Sequence, residues 1–111
     1  MLKDKLEYIL DLANECKNHV ENACDPKISE LIVTTFIQQA FYCAKQLEQI
    51  YYSDCKIAEL MTFYKHFYSL NESLLLKTGL VNEDVKTFGD LYYELKEVLT
   101  NKLKEPNISF K

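Results

Sequence analysis

His66, Ser69 and Glu72 stand three residues apart in the stretch FYKHFYSLNESLLLKTGL (63–80), so a helix would gather a base, a hydroxyl and a carboxylate on one side. Acyl transfer asks for more than those residue types. It needs a strained turn that lifts the serine and a backbone oxyanion cradle, and no such elbow or glycine-bearing loop accompanies the trio. Cys16 and His19, in CKNH, lie one turn apart, a spacing at which two side chains can share a metal. Zinc takes three or four ligands, and the other histidine, His66, falls on a different segment. A ferritin-like carboxylate site needs Glu-x-x-His on two helices, and neither histidine has a glutamate three residues before it. With two glycines in the chain, a glycine-rich phosphate cradle cannot be written. No catalytic residue, metal or cofactor is therefore expected, and the chain does not read as an enzyme.

The four cysteines, Cys16, Cys24, Cys43 and Cys55, contain no C-x-x-C. In an up-and-down helical frame the length of the second helix, roughly 35 to 40 Å, separates Cys24 from Cys55. Counting back from a turn at 25/26 puts Cys16 and Cys43 about 10 Å apart along the axis, beyond the ~7 Å limit for a bridge. Reduced thiols are expected, with Cys16 and Cys43 acting as small core hydrophobes. Cys55, near a predicted helix N-terminus, is the candidate reactive thiol, although the neighbouring Asp54 opposes thiolate formation.

Charge narrows the partners. The chain has 111 residues and a net charge of −4, and all thirteen of its basic residues are lysine. Arginine is the preferred reader of guanine and phosphate, so sequence-specific nucleic-acid binding is not expected. No run approaches the ~18 apolar residues of a membrane span, and the start MLKDKLEYILDL is charged and periodic rather than signal-like. The expected compartment is the cytoplasm, without membrane association. There the sequons at 71–73 and 107–109 are chance matches.

Periodicity supplies the elements. Leu2, Leu6, Ile9, Ala13, Cys16, Val20 and Ala23 alternate four- and three-residue steps, predicting a first helix over 2–23. Asp25 as N-cap and Pro26 at the first helical position predict a second over 26–52, with Val33, Phe36, Ala40, Cys43, Leu47 and Ile50 on its stripe and Ile32, Ile37, Phe41, Ala44 and Tyr51 widening it. Ser53 is the expected cap of a third helix over about 54–78. Gly79 stops that helix, and Leu80 folds back on Leu75. Asn82 caps a fourth that carries Val85, Phe88, Tyr92, Leu95 and Leu99 inward and closes at Pro106. Gly89 either weakens this helix by about 1 kcal/mol or divides a short turn at 82–87 from a helix starting near Asp90. The predicted architecture is all-α, an antiparallel up-and-down four-helix bundle occupying residues 1–105, with 106–111 as a tail.

Leu60, Tyr64, Phe67 and Leu74 form one stripe of the third helix, and Phe63, His66 and Leu70 a second, so more than half its circumference is apolar. The surplus either fills the core of one chain or meets a partner. On the second reading Phe63, His66, Phe67, Tyr68 and Leu70 are the candidate interface residues. The same stretch, followed by KTFGDLY, resembles the helix of HEPN-type bundles, in which an aromatic pair precedes polar residues, a leucine run and a Lys-to-Gly break; the likeness spans residues of about 36–95. HEPN proteins are often RNases or partners of nucleotidyltransferases, and their nucleases use an Arg-x(4 to 6)-His motif. Without arginine that motif is absent here, so the resemblance implies a noncatalytic module linked to RNA or to a nucleotidyltransferase, with Lys96, Lys102 and Lys104 as the candidate RNA contacts. A pocket lined by Cys43, Tyr64 and His66 would be a third route to function. The leading expectation is a small helical interaction protein, regulatory, adaptor or inhibitory, that binds a protein partner or itself as a homodimer.

Overall fold

The heptad seam of the first helix is the foundation of the fold. Leu6, Ile9, Ala13, Cys16 and Val20 are all fully buried on α1 (Leu2–Ala23). The computed structural model describes residues 2–25, 27, 29–53, 55–76 and 82–104, together with their side chains except at 2, 30, 71–76, 82 and 83. It contains α2 (Glu30–Ser53), α3 (Ala58–Leu76) and α4 (Asn82–Lys104) in addition, and no strand among those residues. Each helix packs against its neighbours in a ring, α1 on α2 and α4, and α3 on α2 and α4. Connections of six residues or fewer force successive helices to run antiparallel, which gives the up-and-down four-helix bundle. Its long axis of 46 Å follows the helices, the longest of which spans roughly 36 Å at 1.5 Å per residue. Among the described residues no helix is long and apolar enough to cross a membrane.

The helix ends depart from the caps read in the sequence. Asp25 does accept a backbone N–H, but from Lys27 at 2.9 Å, a local turn rather than a helix cap. α2 starts four residues later than expected, where the Ser29 carbonyl accepts from Ile32 and Val33. Ser53 does not open α3. It is the last residue of α2, and its hydroxyl donates to the Gln49 carbonyl at 2.9 Å. The Cys55 N–H then reaches five residues back to the Ile50 carbonyl, the wide bond of a Schellman-type ending. α3 begins at Ala58, with the Ile57 carbonyl accepting from Leu60 and Met61. The expectations for Pro26, Asp54, the Gly79 stop with its Leu80 contact, the Asn82 side chain, Pro106 and the tail lie outside the described residues.

The later α2 start changes the register between α1 and α2. Tyr8 Oη donates to Gln46 Oε1 at 2.6 Å, Cys16 Sγ to the Ala40 carbonyl at 3.5 Å, and Cys43 Sγ to Glu15 Oε2 at 3.8 Å. Cys43 therefore sits about one turn from the level of Cys16 rather than 10 Å away. None of the four cysteines is joined in a disulfide.

α4 runs unbroken through Gly89, so the division near Asp90 does not occur. A Cβ added at Gly89 would meet nothing within 4 Å. Gly89→Ala is accordingly expected to stabilise the bundle by about 1 kcal/mol through lost unfolded-state freedom. Thermal unfolding followed by circular dichroism should show a midpoint about 4 °C higher. A lower midpoint would mean that the glycine meets a demand of the fold absent from its surroundings.

Candidate interaction surface

The aromatic wealth of α3 goes inward. Phe63 and Phe67 are fully buried, Tyr64 and Leu70 nearly so, and Phe63 stacks on Phe88 of α4 at 4.6 Å between ring centroids. Phe67 lies 6.2 Å from Phe88, and Tyr92 stands 6.4 Å from Phe63. Phe63, Phe67 and Leu70 are thus core residues of one chain, closed to any partner while the bundle is folded, because α4 presents Phe88 to the face that looked surplus in isolation. His66 is partly buried and stacks on the same Phe88 at 5.9 Å, its Nε2 enclosed without a hydrogen-bond partner. Of the five candidate interface residues, Tyr68 lies beside an exposed aromatic surface. It is half-buried, 5.7 Å from the exposed Phe41, and its hydroxyl donates to Glu48 Oε1 at 2.8 Å.

Cys55 is 1% exposed and lies before α3 rather than in its first turn, so it is shielded from reagents that the sequence position seemed to invite. Ser69 donates to the backbone carbonyl of His66 at 2.7 Å, not to the ring, so the two do not form a nucleophile and base. Cys16 is spent on the Ala40 carbonyl while the His19 ring packs 5.9 Å from Phe36, so the two do not converge on a shared ligand. Among the described residues no group of three or more histidine, cysteine or acidic side chains is placed to hold a metal. Cys43, Tyr64 and His66 face Glu15, Tyr51 and Phe88 respectively and do not line one pocket. Lys96 and Lys104 are exposed on α4, but Glu94 and Glu97 interleave with them, making a mixed-sign face rather than a basic stripe.

A surface that the sequence pattern does not single out emerges once burial is known. Of the twelve exposed residues described on α2, Lys45 alone is charged, against seven of eleven on α1 and six of nine on α4. That face displays Leu31 at 85% exposure, Tyr42 at 62%, Tyr52 at 59% and Phe41 at 38%. Lys45 is itself neutralised, 3.7 Å from Glu48 one turn along, and lies 5.9 Å over the Phe41 ring. Two open grooves flank the ridge of Lys45, Gln49 and Ser53. The one toward α1, of about 520 Å³, includes Tyr8 and Tyr42, and the other, of about 500 Å³, includes Glu48 and Tyr52. At the end of this face Lys56 extends its ammonium over Tyr51 and Tyr52, at 4.9 and 4.7 Å from the ring centres.

Polar groups beneath the face are held in fixed states. Burial and the hydrogen bond to Glu48 push the Tyr68 hydroxyl far above the usual phenol range, keeping it a neutral donor. Tyr64 is raised too, by burial first and then by Tyr52, whose hydroxyl comes near without meeting hydrogen-bond geometry. Glu48 is thereby anchored from below and leaves its remaining acceptor capacity to the surface. No protein-family model, curated protein or solved structure matches the chain.

Proposed function

We propose that the chain works as a small non-enzymatic helical interaction protein, regulatory, adaptor or inhibitory in role, binding protein through the outward face of α2. One observation carries this reading: the α2 surface holds large exposed apolar side chains with Lys45 as the one exposed charge among its described residues, beside the partly exposed Glu48, whereas the exposed faces of α1 and α4 are densely charged. An isolated exposed leucine or tyrosine needs no explanation, but several large apolar side chains on one helix face, with grooves beside Tyr42 and Tyr52, are the composition of a contact surface. Exposed aromatics supply large contact area at little cost in rotamer freedom, and depletion of charge lowers the desolvation cost of docking.

A photo-crosslinking amino acid placed at Tyr42 or Tyr52, in the cells that make the protein, is expected to give discrete adducts. The same group at Glu94 of α4 should give none. Absence of adducts at both α2 positions, or equal adducts at Glu94, would overturn the assignment of the contact face.

A further inference from the structure

Phe41, Lys45, Glu48 and Tyr52 succeed one another at steps of four, three and four, so they fall within an arc of roughly 60° and form a seam along α2. All four are accessible: Phe41 and Tyr52 are exposed as noted, and the side chains of Lys45 and Glu48 are 55% and 29% exposed. The order is aromatic, cation, anion, aromatic. The outer pair and the inner pair share one midpoint, between residues 46 and 47. A two-fold axis through that point, perpendicular to the helix, lays Lys45 of one chain against Glu48 of another, and Phe41 against Tyr52. Each contact is made twice, as an isologous interface requires.

From this palindrome we infer that the occupant of the face is a second copy of the same chain, with the two α2 helices antiparallel along the seam from Phe41 to Tyr52. The inference rests on the reading of α2 as the contact face and names what fills it. Charge complementarity selects the arrangement. Parallel pairing in register would set Lys45 on Lys45 and Glu48 on Glu48, whereas the antiparallel form closes a ring of alternating sign from the ion pair that each chain already holds at 3.7 Å. The groove bounded by Glu48, Gln49, Tyr52 and Ser53 lies where the other copy's Phe41 would enter. The exposed face of α1, where five acidic residues outnumber two lysines, would meet a second copy of itself with repulsion. Phe41 and Tyr52 have only 38% and 59% of their surface left to cover, so the seam falls below the ~1,200 Å² at which specific stable interfaces begin, and a weak, reversible dimer is expected rather than an obligate one.

Sedimentation equilibrium on the whole chain, in reductant and low salt, tests the pairing through charge reversal. Wild type should dimerise. Lys45→Glu and Glu48→Lys, each with helicity checked by circular dichroism, should each weaken self-association about tenfold or more, because every reversed dimer carries two like-charge pairs. Mixing the two variants should restore a dimer, since one then carries only acidic and the other only basic residues at the paired positions. The double variant K45E/E48K should pair with itself again. Because Glu48→Lys also removes the acceptor of Tyr68, the Lys45→Glu homodimer and the mixture are the decisive comparisons.

A wild-type monomer at every concentration, single variants that dimerise unchanged, or a mixture that stays monomeric would each overturn the inference. Crosslinks from α2 to a different protein, with a monomeric wild type, would overturn the second copy while leaving the contact face standing. No crosslinks from α2 would remove both.

Discussion

Phe63→Ala is expected to cost about 3–5 kcal/mol, a large share of the roughly 5–15 kcal/mol that holds a domain of this kind together. The side chain is fully buried, stacked on Phe88 with an interplanar angle of 19°, and flanked by Tyr92. Truncation removes contacts with α4 from the one helix that reaches it across the α3–α4 side. Urea unfolding followed by circular dichroism measures the loss, and Phe63→Leu, which retains most of the volume, should lose much less. A Phe63→Ala protein that keeps its unfolding midpoint but changes its mass in solution would place Phe63 at a surface and contradict the core described above.

Raising the pH above about 9 should destabilise the fold, and Cys43 with Cys16 should supply a separable part of that loss. The Cys43 thiol is pushed up from its usual 9.0 to about 11, by burial first and then by the charge and hydrogen bond of Glu15. Cys16 is raised well above the usual thiol range too, by burial first, with Cys43 adding to it. For both, the folded state holds its proton while the unfolded state gives it up. The stabilisation is fully present below pH 9, and for Cys43 it is lost as pH rises through about 11. A tenfold difference in proton affinity between the folded and unfolded chain is worth about 1.4 kcal/mol. Discounted for the solvent that screens the exposed Glu15, Cys43 then accounts for a loss on the order of 2 kcal/mol. Urea midpoints at pH 7.5, 9 and 10.5 in reductant should fall steadily in the wild type and more shallowly in the C16A/C43A variant. Some decline persists in that variant, because burial also raises Tyr64, Tyr68 and Tyr92 and their contribution has the same sign. Equal declines in the two proteins would mean that the thiols do not face the environment assigned to them.

What the sequence discloses and what it hides divide along physical lines. The α1 seam and the inward face of α4 are legible because each helix has one periodic stripe and charges elsewhere, and Leu6 to Val20 and Phe88 to Leu99 are buried as their spacing requires. The face of α3 is ambiguous in one dimension, since Phe63 and His66 need a partner ring and that ring, Phe88, is 22 residues or more away. Caps compete at short range: Asp25 and Ser53 both have capping chemistry, but an Asx turn and a bond back to Gln49 absorb them. A delay of four residues at the α2 start then moves Cys43 by about a turn relative to Cys16.

Lys17 is hidden in the sequence for a similar reason. It is 8% exposed, paired with Glu21 at 3.2 Å and set 5.3 Å over the Tyr92 ring, a place that exists only because α4 lies beside α1. The α2 seam is present in the sequence as a four-three-four repeat. Its two inner members are charged, so a search for apolar periodicity passes over it. Ile32 and Phe41, expected to widen the buried stripe of α2, are 49% and 38% exposed, and that excess is what turns a core helix into a candidate contact surface.

Amide chemical shifts recorded across a dilution series, from millimolar to micromolar protein, address the role of α2 most directly. Concentration-dependent changes confined to α2 between Phe41 and Ser53, with Tyr68 beneath it, are the expected result. Changes confined to the charged faces of α1 and α4, or spectra that do not depend on concentration at all, would contradict self-association through α2.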